Sequence, residues 1–235
     1  MSSVATTLPF LLFLLLLLLF LLLPSVEAQY GHVLPTDRAW PSPAVWSAFS
    51  TSLGTGVLIE VVPPGAPCYN PTPTSSSQAA CTTYQQQSHV DDWRVTQPGA
   101  MMFTNFEDGN DGTTCQDPER GACNIGNVAS WAVRATTEQH VRQTLAFASQ
   151  HNVRLIVKST GHDTAGRSTA FGALVLWMKN FSGPNGRSFL RTTAANQCGE
   201  SIGPSVEVGA GTLWKDVYSS VHAANYVVVG GAFSS

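Results

Sequence analysis

The run Lys158-Ser-Thr-Gly-His162-Asp163, followed closely by Gly166-Arg167-Ser168, gathers several kinds of chemistry in one short polar turn. The hydroxyls of Ser159, Thr160 and Ser168 are hydrogen-bond donors. Gly161 and Gly166 leave backbone N–H groups uncovered, and Arg167 adds a charge-assisted donor. Such a set can cradle a pyrophosphate. His162 adds a ring nitrogen able to form a covalent bond to a cofactor. The residue types alone define an anion-cradling loop with a poised histidine.

Such a loop needs rigid elements on both sides. Before it, the apolar run within Val153–Lys158 reads as a buried strand. Further upstream, Trp131, Val133 and Ala135 alternate with polar residues as in a strand. Thr136-Thr-Glu-Gln139 is a capping-box start. Val141, Leu145 and Ala148 recur at helical spacing, with Ala146 and Phe147 widening the apolar side, and Asn152 ends the helix. This is a β–α–β unit. A second one is expected from the strand Ser205–Val208, a helix with Trp214, Val217, Tyr218 and Val221 on one face, a stop at Asn225, and a strand over Tyr226–Val229. The predicted fold is α+β, with sheets covered by helices. Gly209-Ala-Gly-Thr-Leu-Trp214 half-mimics a dinucleotide fingerprint, but Trp214 stands at the third glycine and no ribose-binding carboxylate follows Asp216. A tight turn after a strand is the preferred reading.

Together these residues resemble the flavin loop of berberine-bridge-enzyme-like oxidases, within the vanillyl-alcohol-oxidase superfamily of FAD enzymes. The Lys-Ser-Thr-Gly-His-Asp…Gly-Arg-Ser wording is most similar to secreted fungal members described as isoamyl alcohol oxidases. The likeness extends upstream through Trp131–Ala148 and downstream through Gly172–Trp177, and covers roughly Cys115 to Ser235. It implies a PCMH-type FAD-binding domain of two α/β subdomains, with the loop Lys158, Ser159, Thr160, Gly161, His162, Asp163, Gly166, Arg167 and Ser168 wrapped on the FAD pyrophosphate. It implies that His162 carries the flavin through its 8α-methyl carbon. Some members hold the flavin a second time through a cysteine in a Gly-x-Cys-Pro-Thr-like segment. Gly231-Ala-Phe-Ser-Ser235 matches that segment with Phe233 at the cysteine position, so a single histidyl link is expected, with Phe233 and Ser234 beside the cofactor. The resemblance also implies that this chain stops in the middle of the FAD domain, as a fragment or truncated product.

The rest of the chain sets bounds. Phe10–Leu23 is almost pure Leu and Phe, shorter than the ~20 residues of a membrane span, and leads through Pro24 to Val26-Glu27-Ala28. It reads as a secretory signal cleaved after Ala28. Residues 29–126 read as a loop-rich N-terminal region, where Pro63-Pro64-Gly65, Pro71-Thr-Pro73 and Ser75-Ser-Ser77 break any long element. Short pieces fit at Ala44–Phe49 and Val57–Val62. The resemblance implies that residues 127–235 are the N-terminal part of the PCMH-type FAD-binding domain, truncated. Asp108-Gly-Asn-Asp-Gly112 is a plain turn, since the spacing and the terminal Glu of a calcium loop are missing. The net charge is −3, charged residues make up 11%, and no basic patch points to nucleic acid.

Five cysteines in a secreted chain point to disulfides. Cys68 with Cys81 and Cys115 with Cys123 are the nearest pairs, Cys198 is left over, and the sequence does not fix the connectivity. No Cys-x-x-Cys or His-x-x-x-His spacing supports zinc. Asn180-Phe-Ser182 is a glycosylation acceptor. His32, His89, His140, His151 and His222 pair with no acid or nucleophile in sequence, and no Gly-x-Ser-x-Gly elbow is present.

Three functions follow. The first is a secreted FAD-linked oxidase acting on a small alcohol-type substrate and dioxygen, with no membrane contact after signal cleavage. The second is a truncated, non-catalytic FAD-domain remnant. The third is a secreted binding or structural protein without a cofactor, which leaves the 158–168 loop without a purpose.

Overall fold

The computed structural model describes residues 31–69, 74–108, 115, 123–181 and 189–233. The expected signal segment, the expected 108–112 turn beyond Asp108, Ser182 and Ser234 lie outside the described residues. Val33–Ser235 forms one unit.

Its centre is a four-stranded sheet. Strands β1 (Leu58–Glu60), β2 (Trp131–Arg134), β3 (Leu155–Lys158) and β4 (Leu174–Trp177) lie in the order β1-β2-β4-β3. β4 runs parallel to both neighbours, with Val133 and Val157 each opposite Leu176, while β1 is antiparallel to β2. Every residue of β4 is buried, as a strand between two parallel partners must be. Its alternate residues feed two cores: Leu174 and Leu176 on one face, Val175 and Trp177 on the other.

Two helices cover the first face. Helix α1 (Pro43–Leu53) starts with Pro at its first turn, where the missing N–H costs nothing, and ends at Gly54 with φ 99°. It buries Trp46, Phe49 and Leu53. After α2 (Ser75–Gln87) and the short α3 (Asp91–Arg94) comes α4 (Glu138–Gln150), the crossover of the predicted β–α–β unit. The cap of α4 is Thr137, whose side chain accepts from the N–H of His140, one residue later than the predicted box. Its core face also differs from the expected one. Thr144, Phe147 and Ala148 are buried, whereas Leu145 is 49% exposed. The aromatic cluster decides the rotation: Phe147 stacks on Phe49 at 4.0 Å and meets Trp46 at 4.8 Å.

The described residues within 29–126 hold more regular structure than the loop-rich composition implies. The stretch from Ser75 opens a 13-residue helix rather than breaking one, because Thr74 and Ser77 cap it reciprocally. The Cys68–Cys81 disulfide fastens α2 to the turn before it, and Cys115 is bonded to Cys123. Cys198 is free and exposed.

The second half departs further from expectation. β5 (Phe189–Ala195) and β6 (Ser201–Glu207) form an antiparallel hairpin, of which only the last part of β6 was predicted. Helix α5 (Trp214–Ala223) follows and ends before Asn225, whose φ is 60°. The Tyr226–Val229 run is not a strand. Val227 and Val229 are 95% and 98% exposed, and the run pairs with no strand among the described residues. The second β–α–β unit is therefore absent there.

Candidate functional site

β3 ends at Lys158 and delivers the polar loop to the carboxyl ends of the parallel strands. Gly161 (φ 94°) and Gly166 (φ 74°) make its two sharp changes of direction in a region side chains rarely adopt. A Cβ on Gly166 would also lie 2.5 Å from the ring of Phe106. Asn127 ties the loop's far end down. Its side chain accepts from the N–H of Phe171 and donates to the carbonyl of Phe106, and its own carbonyl accepts from Thr169.

The loop side chains point in different directions. Lys158 turns inward, is 3% exposed, and donates from Nζ to the carbonyls of Gln97, Pro98 and Ala100. Burial pushes its ammonium down to about 7. Asp163 and Arg167 face each other in an ion pair. The Asp163 carboxylate accepts from Nε of Arg167 at 3.0 Å and from the N–H groups of Arg167 at 2.6 Å and Ala165 at 3.2 Å. These bonds hold it down at about 2. Arg167 is thus engaged inside the loop rather than extended as a separate anion clamp. Ser159 donates its hydroxyl proton to the carbonyl of Ala210 at 2.8 Å.

Ser159, Thr160 and His162 line a cleft of about 310 Å³, closed by residues 210–214 and 231–233. Ser168 is outside this lining. The imidazole of His162 lies flat on the ring of Phe233, centroids 4.5 Å apart and planes 14° apart. Phe233 is held there indirectly. Gly230 and Gly231 press on the ring of Trp214 so closely that a Cβ on either would overlap it. Tyr218 stacks on Trp214 and donates its hydroxyl proton to the carbonyl of Gly231 at 2.7 Å. The turn at Gly211 is equally tight, since a Cβ there would strike the carbonyls of Met178 and Lys179. The preferred reading of Gly209–Trp214 as a tight turn matches this geometry.

Sequence reasoning missed the support beneath the loop. Arg94 and Glu107, both buried, form an ion pair, and Glu107 also accepts from the N–H of Met101 at 2.6 Å. Burial pushes the Glu107 carboxyl up to about 7, with Arg94 pulling the other way. Their sequence pattern carries no signal, because the contact depends on the path of residues 97–107. A larger cleft of about 700 Å³ is lined by Trp40, Trp46 and Trp131 near the amino end of β2. Among the described residues Glu60 is its only ionisable lining residue, so they offer no counterpart there to the chemistry of the loop.

The residues around His162 fit an FAD. Among the described residues no carboxylate lines the cleft, its hydroxyls and main chain suit a diphosphate, and its aromatic wall suits a flat ring system. Its volume is at the low end of the ~300–1,000 Å³ of ligand sites, which matches a part of a dinucleotide.

Comparison with known proteins agrees. Residues 129–234 match the FAD binding domain family. The chain is 33% identical over 199 residues to FAD-linked oxidoreductase patO of Penicillium expansum, covering 84% of this chain and 32% of that protein. It is 32% identical to the VAO-type flavoprotein oxidase VAO615 of Thermothelomyces thermophilus, covering 85% and 33%. The crystal structure of VAO-type flavoprotein MtVAO713 from Myceliophthora thermophila superposes with a TM-score of 0.74 at 29% identity, covering 87% of this chain and 36% of that one. The chain spans about a third of the length of these curated relatives. Since the family match takes in both the strand–helix–strand unit that presents His162 and the segment that covers it, the chain belongs to the vanillyl-alcohol-oxidase-type FAD-linked flavoproteins, a superfamily of oxidoreductases.

Proposed function

We propose that this chain forms the flavin-holding part of a secreted, berberine-bridge-enzyme-like oxidase with the flavin bonded to His162. The observation that carries the reading is the placement of the His162 imidazole in the wall of the cleft, beside Ser159 and Thr160. Bound FAD would supply hydride acceptance from an alcohol-type substrate and electron return to dioxygen, giving hydrogen peroxide. Ser159, Thr160 and the backbone at Gly161 would bind the diphosphate. Phe233 would fix the plane of the imidazole and stand where related proteins place a second attachment. For the covalent link, a ring nitrogen of His162 would hold the flavin through its 8α-methyl carbon, the imidazole giving up its N–H proton and the methyl group one hydrogen, with dioxygen as the two-electron oxidant that would take both.

Ultraviolet-excited fluorescence on a denaturing gel tests this reading. The naturally secreted protein should give a fluorescent band that His162→Ala abolishes. A dark band from folded protein kept with FAD and air overturns the covalent link. Secretion is supported by the apolar Phe10–Leu23 segment and by the two disulfides. The secreted protein should begin at Gln29, and an N-glycosidase should lower its mass if Asn180 carries a glycan. Isoamyl alcohol is one candidate substrate for such a screen.

A further inference from the structure

Lys158 projects from β3 on the same face as Ile156, into the second core cluster. A charge in such a place is costly unless its donors are met. They are met by three carbonyls, those of Gln97 at 3.3 Å, Pro98 at 2.5 Å and Ala100 at 2.9 Å. An ammonium offers three donors and a neutral amine only two, so the charged form alone matches this set.

The contacted segment is tied back to the loop. The N–H of Met102 donates to the carbonyl of Gly161 at 3.2 Å. Between these ties, Met101 is held by a second pair of groups. Its N–H donates to Glu107 at 2.6 Å, and its carbonyl accepts from Nε of Arg94 at 2.7 Å. Gly161 lies against the same strip, since a Cβ there would be 3.5 Å from the Ala100 carbonyl and 3.6 Å from both Met101 Cα and Lys158 Cδ. Residues 158–161 and 100–102 thus close a ring of bonds, and His162 is the next residue outside it.

We propose that Lys158 is a positioning residue for His162: its buried ammonium holds residues 97–102, and through the Met102–Gly161 bond it sets the direction in which the imidazole leaves the loop, without touching the cofactor. The effect on flavin attachment rests on the proposed function. The mechanical link between the two segments does not.

Lys158→Met separates positioning from stability. Methionine keeps most of the stem and removes every donor, and exchanging a buried charge for an apolar isostere is often neutral or stabilising. Amide hydrogen exchange of the cofactor-free chain and the rate of covalent FAD uptake are measured together. At pH 7 the variant should keep or raise its melting temperature and should keep its exchange in α4. Peptides spanning 97–102 and 159–163 should exchange at least tenfold faster, and flavin attachment should slow at least tenfold. Unchanged exchange in both peptides overturns the proposal, as does faster exchange with flavin attachment at the normal rate. If the unsubstituted chain takes up no covalent flavin, the proposed function fails, and exchange alone decides the link between the segments. If the variant does not fold, the unsubstituted chain serves. Its two peptides must open with the same protection, and a freely exchanging 159–163 beside a protected 97–102 overturns the proposal.

Discussion

The imidazole of His162 and the ring of Phe233 are stacked at 4.5 Å, with 14° between their planes. A ring held face to face by a neighbour can turn only by losing that contact, so its nitrogens are kept in one plane. Phe233 is itself half exposed, and aromatic pairs contribute about 0.5–1.5 kcal/mol. Phe233→Ala should therefore lower stability by about 1 kcal/mol or less while slowing covalent flavin uptake several-fold. Phe233→Tyr should leave uptake near normal. Gel fluorescence against time, beside urea denaturation, checks both.

Gly166 carries two demands at once, a positive φ and the ring of Phe106 2.5 Å from where a Cβ would stand. Gly166→Ala should cost about 1–3 kcal/mol, the range for such backbone strain. Adding Phe106→Leu should recover the steric part and leave the part due to φ. A double-mutant cycle in urea separates them.

Arg167 is the obvious anion ligand by residue type, yet it is paired with Asp163. Arg167→Ala should weaken FAD binding only slightly. Asp163→Ala, which also removes the acceptor for the N–H groups of Ala165 and Arg167, should weaken it more. Titration of each apoprotein with FAD decides, and the reverse ranking would show that Arg167 leaves Asp163 for the diphosphate.

Glu107 and Lys158 give the protein a characteristic pH response. Glu107 is raised from 4.5 to about 7, so its contribution is complete below 4.5 and is lost as pH rises through about 7. Lys158 is lowered from 10.5 to about 7, so its contribution is complete above 10.5 and is lost as pH falls through about 7. Melting temperature should pass through a minimum near pH 7. Glu107→Gln should flatten the acid limb and Lys158→Met the alkaline limb. A scan from pH 5 to 10 in a constant-ionic-strength buffer tests this.

Elements whose signal is local could be read from the sequence. The β2–α4–β3 unit was visible because periodicity, cap and terminating Asn152 lie within a few residues of one another. The loop was visible because glycine at positive φ beside hydroxyls is a local pattern. The aim of Lys158 was not, since its acceptors are about sixty residues upstream. Helix α2 escaped notice because it buries no residue and so has no apolar stripe. Only its Thr74–Ser77 cap and its disulfide mark it. β5 and β6 belong to a two-stranded hairpin outside the main sheet, where strong alternation is not required. The Asp163–Arg167 pairing, four residues apart in one loop, is legible in that spacing, although residue type alone favours Arg167 as an anion ligand.

Asn127 stands where the loop-rich composition gives way to regular alternation, and a protein engineer would choose that seam for joining halves of two homologues. Its bond to Phe106 crosses the seam while those to Thr169 and Phe171 anchor it to the loop, and the three bonds from Lys158 to residues 97–100 cross the seam too. A graft cut there would bring a foreign 97–107 strip beneath the native loop. Parts exchanged between relatives must therefore travel together, the strip with the loop, or the hybrid inherits a histidine without its foundation.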